Sequence, residues 1–456
     1  MQAPRFLIAA AHKSSGKTVV TTGLAAALAE RGLRVASFKK GPDYIDPMWI
    51  GTATGGLCYN LDFNTQTRPE IETFFAQRAQ GSDVALVEAN KGLFDGVSMD
   101  GTDSNAGLAK LLKLPVILVI DTGGMTCGIA PLLLGYKAFD PEVNIAGVIL
   151  NKVGGPRHET KLRAAVETYT DIPVVGAVHR HTGLEIGERH LGLTTPGETG
   201  EFQKTIREIA QIVGTSVDLD LLLNLASGAP ALADPPPRAP QPAADVTIAI
   251  ARDRAFGFYY PDDLEAFAEA GARLVPFDAM KEPVLPECDG LFLGGGFPEM
   301  FVDALAANTT LREDIRAKIE AGLPTYAECG GLMYLARTIR NGADFGQMVG
   351  VVAADAVMHP RPQGRGYIKV SDTPDHPWGT PGHAIAAHEF HYAQLDRLEG
   401  APSYARKVLR GHGVDGTHDG IVTRNTLAGF CHLRNTSADP WVARFVSFVR
   451  QNKTGG

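Results

Sequence analysis

A dense group of prolines divides this chain of 456 residues into two parts, and this division limits the folds that the chain can adopt. Three consecutive prolines lie at 235–237, and further prolines lie on both sides within the segment 228–245. Proline fixes its own φ and has no backbone N–H, so the segment cannot form a helix or a central strand. We predict an extended linker at 228–245 between a domain at 1–227 and a domain at 246–450. The alternative is a proline-rich surface loop within a single domain.

Short apolar runs alternate with helix-like segments on both sides of the linker. The runs lie at 6–11, 35–38, 84–87, 116–120, 145–150 and 174–178 before it, and at 246–250, 274–277, 291–293 and 324–327 after it. Most of them do not alternate between apolar and polar residues, as expected for strands that are buried on both faces of a parallel sheet. The pattern therefore predicts an α/β fold with a parallel sheet in each half.

The composition is that of a globular enzyme, with 44% hydrophobic and 21% charged residues. The net charge of −8 argues against nucleic acid as a partner, although a local cluster of Lys and Arg could still bind an anion. No apolar run approaches the roughly 18 residues of a membrane-spanning helix. The five cysteines are scattered and odd in number, a pattern typical of reduced thiols. We therefore predict a cytoplasmic protein that binds neither a membrane nor nucleic acid.

The segment 11–18, Ala-His-Lys-Ser-Ser-Gly-Lys-Thr, lies between the first apolar run and a helix-like segment. It matches the phosphate-binding pattern G-x-x-x-x-G-K-[ST], with alanine in place of the first glycine. Small residues let backbone N–H groups surround phosphate oxygens, Lys17 supplies a positive charge, and Thr18 offers an oxygen to Mg²⁺. The pattern predicts a nucleotide site formed by Lys13, Ser14, Ser15, Gly16, Lys17 and Thr18.

Acidic residues follow two of the predicted strands. Asp43 and Asp46 come just after the second apolar run, and Glu88 ends the third. Carboxylates at the carboxyl ends of parallel strands face the crevice where ligands bind. Mg²⁺ on a nucleotide takes one or two carboxylates plus water, so we predict a magnesium site at Thr18, Asp43 and Glu88. Each carboxylate could instead cap a helix or form a turn, as could Asp95 in a glycine-rich loop.

The C-terminal half contains a cysteine in a strand–turn–helix pattern. Cys329 follows the apolar run at 324–327 and precedes two glycines, as in the elbow that lifts a nucleophile above a sheet. A helix N-terminus at this point would favour the thiolate. The preceding run ends in glycines, and the N–H groups of Gly295 and Gly296 could bind an oxyanion. The alternative is an unreactive cysteine in the core.

A nucleophilic cysteine needs a base, and three histidines are candidates. His388 and His391 lie in His-Glu-Phe-His-Tyr, and His432 lies in Gly-Phe-Cys-His-Leu. The spacing of the first two differs from H-E-x-x-H, which argues against a zinc protease. Residue chemistry alone leaves all three open.

Together these segments resemble the cobyrinic acid a,c-diamide synthase family over nearly the whole chain. The motifs that carry the resemblance occur in family order and are KxGPDYIDP at 39–47, GLxDG at 92–96, GVILNK at 147–152, ERHLGL at 188–193, the Cys329 elbow and HEFHY at 388–392. The N-terminal half looks like a dethiobiotin-synthetase-like ATP domain, and the C-terminal half like a class I glutamine amidotransferase domain. The combination is specific, whereas no single motif is.

The resemblance implies a carbon–nitrogen ligase that uses ATP and takes nitrogen from glutamine. Cys329 would attack the glutamine amide, His432 would assist, and Gly295 and Gly296 would bind the oxyanion. Arg434 replaces the glutamate that class I enzymes usually carry two residues after the histidine, which is consistent with this branch. Ammonia would pass internally to the ATP domain and react there with an acyl phosphate.

The same resemblance implies roles in the N-terminal half. Lys17 and Lys39 would steady the transferred phosphoryl group beside Mg²⁺, and Asn151 would lie where adenine is bound. The residues implied around the acceptor are Asp43, Tyr44, Asp46, Asn90, Lys91 and Asp95, with Lys152, Arg157 and Arg163 as candidates for holding its carboxylates. The expected ligands are ATP, Mg²⁺, glutamine and a tetrapyrrole polycarboxylate, and a homodimer is compatible with the sequence.

Two loops depart from the cobyrinate branch. The segment 12–15 reads His-Lys-Ser-Ser where that branch favours small residues, and Asn90-Lys91 stands where it favours small or apolar ones. Both loops look more like the siroheme amidase that accompanies dissimilatory sulfite reductase. The predicted reaction is therefore amidation of the a and c acetate carboxylates of cobyrinic or hydrogenobyrinic acid, or of siroheme.

Two other functions remain open at this stage. One is an ATP-dependent amidoligase that acts on a non-tetrapyrrole acid. The other is a nucleotide-dependent switch or scaffold protein with an inactive glutaminase half. The intact combination of Cys329, His432 and the glycine loop argues against the second.

Overall fold

The computed structural model describes residues 2–181, 188–189, 192–193 and 202–453, with 188–189 and 192–193 described by their backbone alone. The chain separates into two compact units, Met1–Arg238 and Ala239–Gly456, which we call the N-terminal and the C-terminal unit. The division falls within the proline-rich segment, whose residues 228–245 form neither helix nor strand. His190 and Leu191 of the ERHLGL motif lie outside the described residues.

A parallel sheet forms the centre of the N-terminal unit. Its strands are β1 (Arg5–Ala10), β2 (Val35–Lys40), β3 (Cys58–Leu61), β4 (Val84–Glu88), β5 (Val116–Asp121), β6 (Ile145–Val153) and β7 (Val174–His179). They lie in the order β3-β2-β4-β1-β5-β6-β7, and each neighbouring pair is parallel. A short antiparallel pair follows, β8 (Glu188–Arg189) and β9 (Gly192–Leu193).

All six apolar runs of this half overlap strands of the sheet, so the predicted arrangement is correct here. Every residue of β1 and β4 is buried, which explains why their sequences do not alternate. The short edge strand β3 was not predicted, because its sequence CYNL places the polar Asn60 among few apolar residues.

Helices connect these strands. They are α1 (Lys17–Glu30), α2 (Ile45–Thr54), α3 (Arg68–Ala79), α4 (Asn105–Leu111), α5 (Ile129–Phe139), α6 (Pro156–Tyr169), α7 (Phe202–Ser216) and α8 (Leu219–Ser227). α1 packs against α7, and Gly23 allows this close approach because a Cβ there would lie 2.6 Å from Val213. The start of α1, which follows the predicted phosphate-binding loop, therefore belongs to a helix that is held in place by its packing against α7.

The C-terminal unit is built on a mixed sheet. Its strands are β10 (Val246–Ala251), β11 (Phe256–Phe258), β12 (Ala272–Phe277), β13 (Gly290–Leu293), β14 (Gly295–Gly296), β15 (Thr325–Glu328), β16 (Thr338–Asn341), β17 (Asp344–Gln347), β18 (Asp355–Met358), β19 (Gly364–Asp372), β20 (Ala384–His391), β21 (Ala393–Asp396), β22 (Ser403–Arg410), β23 (His418–Thr423) and β24 (Thr426–Gly429). Among the described strands, the main sheet has the order β12-β10-β13-β15-β24-β23-β22-β19-β20. Strands from β12 to β24 are parallel, and pairs from β24 to β20 are antiparallel.

The prediction for this half is correct only for part of the sheet. The four apolar runs correspond to β10, β12, β13 and β15, whereas the antiparallel strands were not predicted. In β20, buried residues alternate with less buried ones, and two of the buried positions are the polar Glu389 and His391, so the sequence does not resemble a buried apolar strand. The α/β fold class is confirmed in both units.

The helices of this unit are α9 (Pro261–Glu269), α10 (Val302–Ala307), α11 (Thr309–Glu320), α12 (Gly330–Leu335) and α13 (Trp441–Asn452). Trp441 at the start of α13 is fully buried, and its ring lies 5.5 Å from Phe292 and 4.9 Å from Tyr326, centroid to centroid. This aromatic group fixes α13 against β13 and β15.

None of the helices in the described part of the chain combines the length and apolar character that a membrane span requires. All five cysteines are free, as the scattered spacing predicted.

Candidate active sites

The predicted phosphate-binding loop connects β1 to α1. Ser14 has φ 64° and Gly16 has φ 80°, both in the left-handed region. The Ser15 side chain is directed inward, and its hydroxyl donates to the His12 carbonyl over 2.8 Å. Such alternating backbone conformations aim successive N–H groups at one point and form an anion-binding concavity. Lys17 begins α1 directly behind it.

Two side chains from the end of β6 hold this loop in place. The Asn151 Nδ2 donates to the Ser15 carbonyl over 2.8 Å, and the Lys152 Nζ donates to the Ser14 carbonyl over 2.9 Å. A Cβ on Gly16 would lie 2.3 Å from the Asn151 Nδ2, so the contact requires glycine. Asn151 therefore contacts the predicted phosphate loop, and its predicted place beside adenine stays a prediction. Lys152, a candidate for the acceptor side, contacts this loop too.

Behind the loop, Lys39 lies among three carboxylates. Its Nζ contacts the Asp46 carboxylate, lies 3.0 Å from the Glu88 Oε1 and lies 3.7 Å from the Asp43 Oδ2. The Thr18 hydroxyl is 2.8 Å from the same Glu88 oxygen and 3.3 Å from Asp46. The structure therefore brings Thr18 and Glu88 together as predicted, with Asp46 nearer to Thr18 than the sequence suggested.

Burial and the concentration of charge shift the pKa values of this cluster. Burial disfavours the Lys39 ammonium, but Asp46, Glu88 and Asp43 outweigh it and hold the pKa of Lys39 well above its ordinary value. Burial and the neighbouring Asp46 raise the pKa of Asp43 to about 7. Burial, followed by the repulsion of Lys39, lowers the pKa of Lys17. These carboxylates therefore favour an additional cation.

The donor set fits Mg²⁺ delivered with a nucleotide. The Glu88 Oε2 is buried and has no hydrogen-bond partner, and the Thr18 hydroxyl lies beside the other oxygen of that carboxylate. Among the described residues, no group of His, Cys, Asp and Glu is arranged to hold a metal ion by itself. Mg²⁺ commonly completes its coordination with phosphate oxygens and water, so these residues suit a metal that arrives on a phosphate.

Asp43 and Tyr44 lie at the start of α2. The Asp43 Oδ1 accepts the N–H groups of Ile45 and Asp46 over 3.0 and 3.1 Å, so this carboxylate also caps the helix. Tyr44 is buried. The Asn60 amide donates to the Asp43 carbonyl over 2.7 Å and fixes the loop before the helix. Asp43 therefore has a structural role at the start of α2, and its role as a metal or acceptor ligand stays a prediction.

The loop after β4 is held by Asn105, which the sequence did not single out. The Asn105 amide donates to the carbonyls of Asn90 and Gly92 over 2.5 and 2.6 Å. Asp95 accepts the Gly92 N–H over 2.9 Å and therefore stabilises the loop as well. Lys91 is exposed and has φ 43°. A lone asparagine in a turn carries no sequence signal, because turns commonly contain this residue.

In the C-terminal unit, Cys329 has φ 48° and ψ −101° and is nearly buried between β15 and α12. Such a conformation is strained for a non-glycine residue and is typical of a nucleophile elbow. The two glycines that follow it lie against neighbouring backbone. A Cβ on Gly331 would lie 2.3 Å from the Leu293 carbonyl oxygen, and one on Gly330 would lie 3.1 Å from the Gly296 nitrogen.

The two predicted oxyanion glycines lie next to this elbow. A Cβ on Gly295 would lie 2.5 Å from the His432 Cε1, and one on Gly296 would lie 1.9 Å from the Ala255 carbonyl oxygen. Both glycines form β14, which pairs with β11. The backbone of this short strand therefore faces the Cys329–His432 pair.

His432 is the histidine that the structure places beside Cys329, with which it forms a hydrogen bond. Burial disfavours its imidazolium, but the Cys329 sulfur and the Glu328 carboxylate outweigh it and raise the pKa of His432 to about 10. The backbone of His388 pairs with that of His432, and the two ring centroids lie 6.2 Å apart. Burial, followed by the repulsion of His432, lowers the pKa of His388 to about 3. The ring of His391 stacks on Phe430 at 3.8 Å.

A carboxylate that the sequence did not predict lies on the far side of His432. The Glu328 Oε2 is 3.6 Å from the His432 Nδ1. Arg434, which replaces the usual glutamate, pairs instead with Asp262 over 3.0 Å and is buried. Glu328 directly precedes Cys329 in the sequence, and this position is the signal by which it could have been identified.

Comparisons with known proteins agree with this geometry. Residues 6–193 match the CobQ/CobB/MinD/ParA nucleotide binding domain, and residues 247–439 match the CobB/CobQ-like glutamine amidotransferase domain. The chain is 44% identical to a cobyrinate a,c-diamide synthase of Magnetococcus marinus over 98% of this chain and 97% of that protein. It is 38% identical to those of Methanosarcina acetivorans, over 95% and 93% of the two chains, and Listeria monocytogenes, over 94% and 96%.

We expect Gly296→Ala to remove glutaminase activity, because the new Cβ would overlap the Ala255 carbonyl oxygen and displace β14. Loss of one oxyanion donor alone lowers kcat by about 100-fold. Glutamate release from glutamine measures the effect. Gly135→Ala is the control, since no atom lies within 4 Å of that Cβ and the residue is helical. Wild-type activity of Gly296→Ala would contradict the assignment of this loop.

Proposed function

The chain belongs to the cobyrinate a,c-diamide synthase family, and from this premise we propose that it uses ATP and glutamine to convert acetate carboxylates of a modified tetrapyrrole into carboxamides. It is a carbon–nitrogen ligase with a glutamine amidotransferase domain and a nucleotide-binding domain. The observation that carries the proposal is that the structure brings together the predicted residues of two sites. One is the Cys329–His432 pair with its glycine strand, and the other is the phosphate loop with its carboxylate cluster.

In the proposed glutaminase reaction, the Cys329 sulfur attacks the amide carbon of glutamine. The N–H groups of Gly295 and Gly296 stabilise the negative oxygen of the tetrahedral intermediate. His432 holds the thiol proton and passes it to the leaving ammonia. Water then hydrolyses the thioester with His432 as the base, which releases glutamate and restores the thiol.

In the proposed ligase reaction, a carboxylate oxygen of the acceptor attacks the γ-phosphorus of ATP, and ADP leaves. Ammonia then attacks the acyl phosphate and displaces inorganic phosphate. Lys17 and the N–H groups of the loop neutralise the phosphoryl oxygens. Mg²⁺, held by Thr18 and Glu88 with Asp43 or Asp46, would supply further positive charge. Asn151 keeps the loop in the shape that this requires, since it is bonded to the Ser15 carbonyl.

Two acceptors remain candidates, each with its own support. The relatives reported above are named cobyrinate a,c-diamide synthases, which supports cobyrinic or hydrogenobyrinic acid. The Asn90-Lys91 loop departs from that branch and borders the proposed acceptor side, which supports siroheme. The common chemistry is a macrocycle that carries several carboxylates.

We expect Cys329→Ala and Lys17→Ala to separate the two half-reactions. Cys329→Ala lacks the nucleophile, so it should lose glutamine-dependent amidation and retain amidation with ammonium chloride. Lys17→Ala lacks a phosphate-binding charge, so it should lose amidation from both nitrogen sources and retain glutamate release. Each variant controls for the folding of the other. Glutamine-dependent amidation by Cys329→Ala would contradict the glutaminase assignment.

Mass spectrometry of products tests the acceptor. We expect a mass decrease of about 1 Da for each carboxylate converted into a carboxamide when the protein is incubated with ATP, Mg²⁺, glutamine and either cobyrinic acid or siroheme, because –OH is replaced by –NH₂ in the overall reaction. Product from siroheme alone would support a role for the Asn90-Lys91 loop in acceptor choice. Product from cobyrinic acid alone would contradict that role. No product from either would overturn the tetrapyrrole proposal.

A further inference from the structure

The Cys329–His432 pair has an acidic neighbour on a strand rather than on the segment after the histidine. We infer that Glu328 is the positioning residue that orients His432, in place of the glutamate that class I enzymes usually carry two residues after the histidine. The inference rests on the proposed glutaminase reaction, which Cys329→Ala tests separately. Glu328 would act on the reaction through His432 alone.

The Glu328 carboxylate is held in one orientation. Its Oε1 accepts the Tyr326 hydroxyl over 2.7 Å and the Leu433 N–H over 2.9 Å. Its Oε2 therefore points to the His432 Nδ1, at 3.6 Å. Both side chains are about 95% buried, so water does not screen the interaction. At 3.6 Å this is an ion-pair contact that is longer than a hydrogen bond. Catalytic contacts are often long before the substrate binds and shorten in the complex.

Arg434 cannot supply the missing acid, and its contacts direct it elsewhere. Its Nε and Nη2 donate to the Asp262 Oδ2 over 3.2 and 3.0 Å, and its guanidinium lies 5.0 Å from the Tyr260 ring centroid. This buried pair fixes the chain beyond His432 to α9.

An ionised Glu328 has two consequences for His432. It holds a proton on Nδ1, which leaves Nε2 to take the proton of the Cys329 thiol. It also stabilises the imidazolium that results. Together with Cys329, it raises the pKa of His432 to about 10 although burial acts in the opposite direction.

The test is Glu328→Gln, which keeps the shape and removes the charge. We expect glutamate release to fall at least about tenfold in kcat, with a small change in KM, as for the acid of other triads. The loss of the carboxylate lowers the pKa of His432, so the alkaline limb of the activity–pH profile should move to lower pH. Glu328→Asp should restore part of the activity and move the limb back.

Two measurements distinguish the expected loss of activity in Glu328→Gln from a folding defect. Ammonium-dependent amidation should persist in Glu328→Gln, and Tyr326→Phe, which removes one bond to Glu328, should show a smaller change of the same kind. An unchanged kcat and an unchanged alkaline limb in Glu328→Gln would overturn the inference. A fall in kcat with the alkaline limb unmoved would also overturn it, because a purely structural role would produce that result.

A second inference comes from an independent observation in the N-terminal unit. Lys40, the last residue of β2, is 5% exposed and lies beside aromatic and cationic side chains. Its Nζ lies 5.8 Å from the Phe63 ring centroid, and Arg68 lies over the same ring at 5.0 Å. Two cations at one ring concentrate positive charge at this place, which favours an anionic ligand.

We propose that Lys40 and Lys91 bind a carboxylate of the acceptor that does not react. Lys39 pairs with Glu88 in the ladder between β2 and β4, so Lys40 lies beside the loop that begins after β4 and carries Lys91. Lys91 is close enough to lower the pKa of Lys40 further, after burial. Asp62 and Asp103 act on this pKa in the opposite direction.

The position favours an acceptor carboxylate over a nucleotide phosphate. In the sheet order, β2 is separated from β1 and its phosphate loop by β4. Neighbouring strands are about 4.8 Å apart, so Lys40 lies on the order of 10 Å from that loop. A macrocycle with several carboxylates is large enough to place one carboxylate at the phosphate loop and another at Lys40. This inference rests on the proposed tetrapyrrole acceptor.

Lys40→Met and Lys91→Met test this subsite. We expect each to weaken binding of cobyrinic acid or siroheme about tenfold, in Kd from visible-absorbance titration and in KM, because a charge-assisted hydrogen bond is lost. The KM for ATP and glutamate release should not change. Lys161→Met, at an exposed position of α6, is the matched control. Lys91 is exposed, so its variant should fold even if the substitution at Lys40 does not.

The outcomes separate this inference from the proposed function. Wild-type protein that binds an acceptor without amidating it would overturn the reaction, and the Kd values would still report on Lys40 and Lys91. Equal acceptor Kd values for the wild type and both variants would overturn the subsite. A rise in the KM for ATP instead of the acceptor would overturn it as well, because the bound anion would then be a phosphate.

Discussion

One constraint underlies both sites, namely that parallel strands present their carboxyl ends at the same edge of a sheet. In the N-terminal unit, β1, β2 and β4 are neighbours, so the phosphate loop, Lys39 and Glu88 meet although the chain between them is long. In the C-terminal unit, β13, β15 and β24 are neighbours, and the segments after them carry Gly296, Cys329 and His432. The chemistry in each unit therefore depends on strand order.

The two sites balance buried charge in different ways. In the N-terminal unit, Lys39 neutralises only part of a carboxylate cluster, and the remaining negative charge suits a metal bound to a nucleotide. In the C-terminal unit, His432 lies between Cys329 and Glu328, and each of them favours its protonated form.

Both loops that carry the chemistry contain backbone in the left-handed region. A non-glycine residue in a sparsely populated conformation costs roughly 1–3 kcal/mol, and the surrounding structure must supply it. At Ser14, bonds from the end of β6 to the loop carbonyls do so, and at Cys329 the close packing of Gly330 and Gly331 against Leu293 and Gly296 does so. The strain holds the N–H groups and the thiol in place before any ligand arrives.

The parallel strands and the family were predicted correctly from the sequence, because they depend on neighbouring residues and on motifs in order. The predictions of the linker, the phosphate loop and the Cys329 elbow rest on the same kind of local signal. The antiparallel strands of the C-terminal sheet were missed, since polar residues such as Glu389 and His391 of β20 occupy buried positions. Only the tertiary structure distinguished His432 from the other histidines and placed Glu328 beside it, 104 positions earlier in the chain. Contacts of this kind depend on which strands become neighbours, and that is decided by packing of the whole sheet.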